Sequence, residues 1–236
     1  MKTVLMALAA FGLLLAMAPA AAASPSLFGT VEFRAESLAA LPQWLRVLRQ
    51  IEAEREVYAT CRRTPEACPS RQVLAWQAMI DGQADQAPIE QLRAVNRFLN
   101  GWRYKSDLDN YGVRDYWATP LEFLARSGDC EDYAIAKFVT LRKLGFAAEQ
   151  LRLVVVHDMR RDLAHAVLAV YLDGQVYLLD NLNMAVLPQE RVTHYVPYYS
   201  VNETTRWAHV PPLDTVAQRA DERALPSRAA PQAAAQ

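Results

Sequence analysis

Apolar residues recur at helical spacing through the first half of the chain and gather into strand-like runs in the second. Leu38, Leu41, Trp44, Leu45, Leu48 and Ile51 predict a helix from Glu36 to about Thr60. Leu74, Trp76 and Ile80 predict a second over 72–80, and Ile89, Leu92, Val95 and Leu99 a third over 89–99, with the polar run "DGQADQAP" between them. The stretch from Gly101 to Pro120 is aromatic, polar and without period. It reads as a long ordered loop, a kind of segment that often carries a site. From Asp129 a helical stripe resumes through Ala134, Ile135, Phe138, Leu141 and Leu144, and Gly145 fits its C-terminal stop. "LRLVVVH" (Leu151 to His157) and "AHAVLAVYL" (Ala164 to Leu172) then read as strands. Asp173-Gly174 reads as a two-residue hairpin turn, and "QVYLLD" (Gln175 to Asp180) as the return strand. Helices first and an antiparallel sheet afterwards predict one α+β domain. There is no internal repeat. Beyond about Pro211 the chain is rich in Ala, Gln, Arg and Pro without periodicity, so 213–236 is expected to be a disordered tail and 24–212 the folded domain.

The N-terminus changes where this domain is expected to work. "MKTVLMALAAFGLLLAMAPAAAASPS" has a basic Lys2, an apolar run from about Val4 to Met17, and Ala21-Ala22-Ala23 before Ser24. That is the pattern of a secretory signal peptide over 1–23 with a small-residue cleavage site. An uncleaved membrane anchor is the rival reading, and the apolar run is short for a span of about 20 residues. Cleavage removes one lysine and no acid, which leaves 24 basic against 26 acidic residues and a net charge of −2. So weak a field gives no pull toward nucleic acid or an anionic membrane surface. The expectation is an exported protein, periplasmic or outside the cell, not membrane-embedded after cleavage.

Export gives the cysteines meaning. Cys61 and Cys68 lie seven apart in "TCRRTPEACPS", close enough for a short local disulfide in an oxidising compartment, which leaves Cys130 odd. Cys130 opens the predicted helix in "SGDCEDYAIAKF", where free N–H groups and the helix dipole favour a thiolate. Two-residue closure at 173–174 pairs residues whose numbers sum to 347. Val167 then faces Asp180, and His165 is a diagonal neighbour of Asp180 on the same sheet face, roughly 7–8 Å away at the backbone. A thiol, an imidazole and a carboxylate in those positions supply a nucleophile, a proton carrier and a residue that orients the ring; the Cys130 N–H is a candidate oxyanion donor. Plainer readings stand beside these. Asp129 with Asp132 has the spacing of a capping box. His165 suits a satisfied core histidine, and Asp180-Asn181 a strand end. His157, His194 and His209 read as structural, and Tyr195, Tyr198 and Tyr199 with Pro197 as packing. Asp129, Glu131 and Asp132 also crowd the thiol with charge that opposes its ionisation.

"GDCEDYAIAK", then "AHAVLAV", then "LLDN", in that order, resembles the bacterial transglutaminase-like cysteine proteases, and within them the periplasmic LapG type. The resemblance runs from about Leu38 to Val210, and "WATPLEFLARSGDCEDYA" is its most specific part. It implies a papain-like, transglutaminase-like core, with N-terminal helices and the cysteine at a helix N-terminus on an antiparallel sheet. It implies Cys130 as nucleophile, His165 as general base and acid, and Asp180 as the orienting carboxylate. It further implies a Ca²⁺ requirement, met by Asp129 and Glu131 with Asp132 as a further ligand. Asp107, Asp109 and Asp115 in the aromatic loop are available as additional oxygens, since Ca²⁺ takes six to eight. The implied substrate is the N-terminal region of a large surface adhesin at an Ala-Ala-type site, whose release promotes biofilm dispersal. The implied partner is an inner-membrane cyclic-di-GMP receptor of the LapD type. The same triad would also serve a transglutaminase-like acyltransferase or a peptidoglycan amidase, and a catalytically inactive calcium-binding partner protein is the alternative outside enzymes.

Overall fold

Prolines and side-chain caps set where the helices start. The structure, a computed structural model, describes residues 25–212, so the expected signal peptide and C-terminal tail lie outside the described residues. Helix α1 (Pro42–Ala53) begins at a proline, whose missing N–H costs nothing in a first turn. Leu41 before it is held out of helical backbone at φ −124° and ψ 68°. Helix α2 (Arg55–Arg63) follows after a break at Glu54. One helix from Glu36 to Thr60 is therefore replaced by two. The break is put to use: the buried Glu54 carboxylate accepts from Tyr58 OH (2.6 Å) and from Thr119 OH (2.8 Å), which ties the helical layer to the segment before the site.

Helix α3 (Arg71–Gln83), capped by Ser70, runs past Ile80, so Asp81-Gly82 belong to the helix rather than to the polar break. Cys61 and Cys68 form a disulfide between α2 and α3, with Cα atoms 4.5 Å apart. Helix α4 (Pro88–Leu99) matches its periodicity. The segment 101–119 is irregular except for α5 (Asp107–Tyr111), capped by Ser106. Helix α6 (Pro120–Arg126) starts at a capping box of Thr119 and Glu122. Helix α7 (Cys130–Lys143) follows, and Gly145 takes φ 98°, the left-handed conformation at its end.

The strands are β1 (Val31–Ala35), β2 (Leu151–Asp158), β3 (Leu163–Leu172), β4 (Gln175–Leu179), β5 (Leu187–Pro188), β6 (Tyr195–Val201) and β7 (Arg206–Val210). They form one sheet in the order β1-β7-β6-β2-β3-β4-β5, with every pairing antiparallel. Strand β1 precedes the helices and pairs with β7, so the order "helices first" is incomplete. Strand β1 lies at the sheet edge with β7 beside it, and both are short; β1 alternates apolar and polar residues, but Val31 and Phe33 of its apolar face are exposed. β6 carries Pro197, which pairs opposite Val156 beside a bulge in β6 at Tyr198, where a missing donor is tolerated. The hairpin keeps the predicted register from Leu172–Gln175 to Leu168–Leu179, with Asp173 and Gly174 both at positive φ, as a type I′ turn demands.

The sheet is covered on both faces. Trp44, Trp76, Leu92, Ile135, Phe138 and Leu141 from the helices pack with Leu151, Leu153, Leu168 and Val170. Leu27, Val192 and Tyr195 pack with Val154, Val156, Val167 and Ala169 on the other face. Among the described residues no helix is long and apolar enough to cross a membrane.

Candidate active site

The run "SGDCED" is built as a tight turn into α7. Ser127 takes φ 65° and reverses the chain after α6. Gly128 follows because nothing larger fits: a Cβ there would lie 2.0 Å from Asp132 Oδ2. Asp132 is fully buried, and its two oxygens accept the N–H of Ala118 (2.6 Å) and of Asp129 (3.2 Å). It closes the capping box expected of this spacing and also ties 112–119 to the helix start. Lys105 N–H donates to the Gly128 carbonyl at 2.9 Å, so the aromatic loop is strapped to the same turn.

Strand β4 ends at Leu179, paired with Leu168, so residues 163–167 of β3 have no β4 neighbour. Cys130 and Asp180 meet β3 at that opening. Cys130 shares one cleft with Ala164, His165 and Ala166 of β3. His165 Nε2 bonds Asp180 Oδ1 at 2.9 Å, which confirms the face and diagonal expected from the hairpin register. Asp180 Oδ1 also accepts the Leu182 N–H (2.9 Å), and Oδ2 accepts Tyr195 OH (2.6 Å). Burial works to raise the Asp180 pKa. The hydrogen bond and charge of His165, with the Tyr195 and Leu182 bonds, outweigh it and hold the carboxyl below its ordinary range. Asp180 is thus an ionised acceptor that fixes the His165 ring and leaves Nδ1 as its second nitrogen.

Cys130, Glu131 and His165 line one cleft of about 210 Å³ with Asp115, Trp117, Val155, Ala164, Ala166 and Tyr199. The thiol donates to Glu131 Oε2 at 3.1 Å. Burial pushes its pKa far up, the charges of Glu131 and Asp129 push it further, and the Ala166 N–H opposes them. With these acids uncompensated the sulfur stays protonated.

The same acids extend into a larger cluster. Carboxylate oxygens of Asp107, Asp115 and Glu131 lie within 4.8 Å of one another, as do those of Asp107, Asp129 and Asp132. Oxygens of Asp129 and Glu131 are within the same range of Cys130 Sγ. Burial, then repulsion from Asp129 and Asp115, raises Asp107 to about 6, against the pull of the Tyr116 N–H. Burial and the charge of Glu131 likewise raise Asp129. Asp107 Oδ1 and Asp129 Oδ1 are buried without a hydrogen-bond partner among the described residues. Hard oxygens that repel one another, with two of them orphaned, are the donor chemistry a Ca²⁺ ion uses. Among the acids named from sequence, Asp129 and Glu131 fit that role directly, and Asp132 has both oxygens engaged by backbone. Asp109 lies outside the cluster and accepts from Ser106.

Sequence reasoning assigned Tyr195 to packing, and the structure makes it a donor to Asp180. It arrives on β6, which pairs with β2 and not with β4, so no local spacing announces it. Asp107 and Asp115 were noted without a motif, and only the fold of 101–119 brings them to Glu131. His209 is structural as expected, held by Thr30 Oγ1 (2.9 Å) and Ser200 Oγ (2.8 Å) and lowered by burial to about 4.

Comparison with known proteins shows the family. Residues 51–214 match the family model described as bacterial transglutaminase-like cysteine proteinase BTLCP. No curated protein matches the chain. Among solved structures, calcium-bound LapG of Legionella pneumophila is 28% identical with a TM-score of 0.57, over 69% of this chain and 98% of that one. LapG of the same organism in an EGTA-treated form is 29% identical with a TM-score of 0.55, over 65% of this chain and 84% of that one. With the family model spanning more than half of its length, the chain belongs to the bacterial transglutaminase-like cysteine proteinases and is a cysteine peptidase.

Proposed function

We propose that this chain is a calcium-dependent periplasmic endopeptidase that cleaves the N-terminal region of a large surface adhesin at an Ala-Ala-type site, so releasing the adhesin and promoting biofilm dispersal. The observation that carries the reading is one cleft lined by Cys130, His165, Glu131 and Asp115: its imidazole is bonded to Asp180, and its two acids belong to the carboxylate cluster. In it Cys130 is the nucleophile, and His165, through Nδ1, takes the thiol proton. The thiolate adds to the scissile carbonyl, with the Cys130 N–H at the start of α7 as an oxyanion donor. His165 then gives its proton to the leaving amine, and water hydrolyses the thioester. Asp180 keeps the ring in the tautomer that exposes Nδ1, and Tyr195 holds Asp180.

Asp107, Asp115, Asp129 and Glu131 would hold the Ca²⁺, with Asp132 anchoring the turn that presents two of them. When bound, the ion would supply positive charge that offsets the acids beside the thiol. The forms of Legionella LapG described as calcium-bound and EGTA-treated support this assignment by similarity. The basic Lys2, the apolar run to Met17 and Ala21-Ala22-Ala23 support export by a cleaved signal peptide and a periplasmic enzyme, with an inner-membrane cyclic-di-GMP receptor of the LapD type as its expected partner.

The triad itself also permits acyl transfer to an amine, so the product decides between the two. Purified protein with Ca²⁺ and an N-terminal fragment of a candidate adhesin should yield two fragments, with a new N-terminus within or just after an alanine pair. An isopeptide crosslink in place of a new N-terminus makes the enzyme a transglutaminase.

A further inference from the structure

A second cavity, of about 350 Å³, adjoins the catalytic pair through Asp180 and Tyr195. The thiol does not line it. His165, bonded to Asp180 at 2.9 Å, lines the Cys130 cleft, so the pair stands between the two spaces. Separate segments of chain bring arginines to this second cavity: Arg160 and Arg161 from the turn between β2 and β3, and Arg191 from the segment between β5 and β6. Leu178, Leu182 and Leu187 give it an apolar wall. The whole chain has a formal net charge of −1, so the basic character is local.

The two acids in this wall are already engaged. Asp158 is buried, and its Oδ1 accepts the N–H groups of Arg160 (2.9 Å) and Arg161 (3.4 Å) while Oδ2 lies 3.8 Å from Arg161 Nε. Asp180 accepts from His165, Leu182 and Tyr195. The exposed side chains of Arg160 and Arg191 have no carboxylate partner among the described residues. His194, in the same wall, keeps a buried Nδ1 without a hydrogen-bond partner among the described residues. Guanidinium forks match the two oxygens of a carboxylate, and a concave, partly apolar wall strengthens their pull. The leucines favour a carboxylate carried on a side chain over a bare anion.

We propose that this pocket is a specificity subsite that takes an acidic side chain, Asp or Glu, of the polypeptide substrate close to the scissile bond. The inference rests on the Cys130–His165–Asp180 reading above. One imidazole and one carboxylate separate the cleft from the pocket, roughly the 7–10 Å that two or three extended residues span. An alanine pair offers only methyl groups to recognise, which discriminate weakly; an ionic contact beside it adds the selectivity that the pair lacks.

The test uses Ala-Ala peptides with a single Glu at each of the three positions on either side of the pair, each matched to its Gln counterpart, in saturating Ca²⁺. Cleavage is followed with wild type, and binding with Cys130→Ala. At one position or more, Glu should be preferred over Gln by about tenfold in both kcat/KM and Kd, and added salt should shrink the preference. The double variant Arg160→Gln, Arg191→Gln should lose the preference and treat the Gln peptides as wild type does. The Glu-to-Gln ratio is read within one variant, so a general loss of stability cancels from it. No preference at any position, or a preference that survives the double variant, overturns the subsite and leaves the peptidase reading standing. Glu-dependent binding to Cys130→Ala that the double variant loses, with no cleavage of any peptide by wild type, keeps the pocket and overturns the reading of an Ala-Ala endopeptidase.

Discussion

Stripping calcium from the protein should abolish cleavage, and restoring calcium should recover it. Three carboxylates lie within two residues of Cys130 in sequence, and the thiol donates a hydrogen bond to Glu131 at 3.1 Å. Each further unit by which those charges raise the thiol pKa costs about tenfold in thiolate at neutral pH. A loss of at least 100-fold in kcat/KM on EGTA treatment is therefore expected, larger than from removal of any exposed charge. Stability should move the same way. Asp107, Asp115, Asp129 and Glu131 repel one another in the metal-free protein, and an ion that binds only the folded state at 100 times its Kd adds about 2.7 kcal/mol. Thermal melting with and without Ca²⁺ should show that gain, and Asp107→Asn or Asp129→Asn should shrink it. Full activity in a demonstrably metal-free sample removes the calcium requirement and leaves the triad untouched.

Cys130→Ala should leave no measurable cleavage while preserving the fold and the calcium response. Its Sγ contributes one weak bond to Glu131, and the acids that form the cluster all remain. Asp180→Asn is the more informative partner. The amide keeps the shape that meets Leu182 and Tyr195, but it favours the wrong ring tautomer and cannot stabilise an imidazolium, so kcat should fall on the order of 10³-fold or more. A catalytically inactive calcium-binding protein predicts the reverse, with Ca²⁺ binding intact and no substrate turnover in any form. Cleavage by Cys130→Ala at the wild-type rate would dismiss the cysteine mechanism.

What the sequence showed of this site follows from range. The His165–Asp180 contact was legible because a two-residue turn fixes the register of the hairpin that carries both. The position of Cys130 was legible because a capping box marks a helix start. The helices were legible where apolar residues keep period, and were misjudged where Pro42 and Glu54 override it. Tyr195 was legible only as packing, and Asp107 and Asp115 only as spare oxygens without a motif, because they reach the site through pairings of β6 and folding of 101–119, which leave no periodic trace.

The central claim is that calcium converts an acid-crowded, protonated Cys130 into a reactive thiolate. Cys61 and Cys68 are joined, so Cys130 is the single free thiol and can be read directly. The rate of its alkylation by iodoacetamide, measured across pH with and without Ca²⁺ on unreduced protein, reports its acidity without any substrate. The account predicts faster alkylation and a lower apparent thiol pKa when Ca²⁺ is bound. Identical pH–rate curves in Ca²⁺ and in EGTA would contradict it.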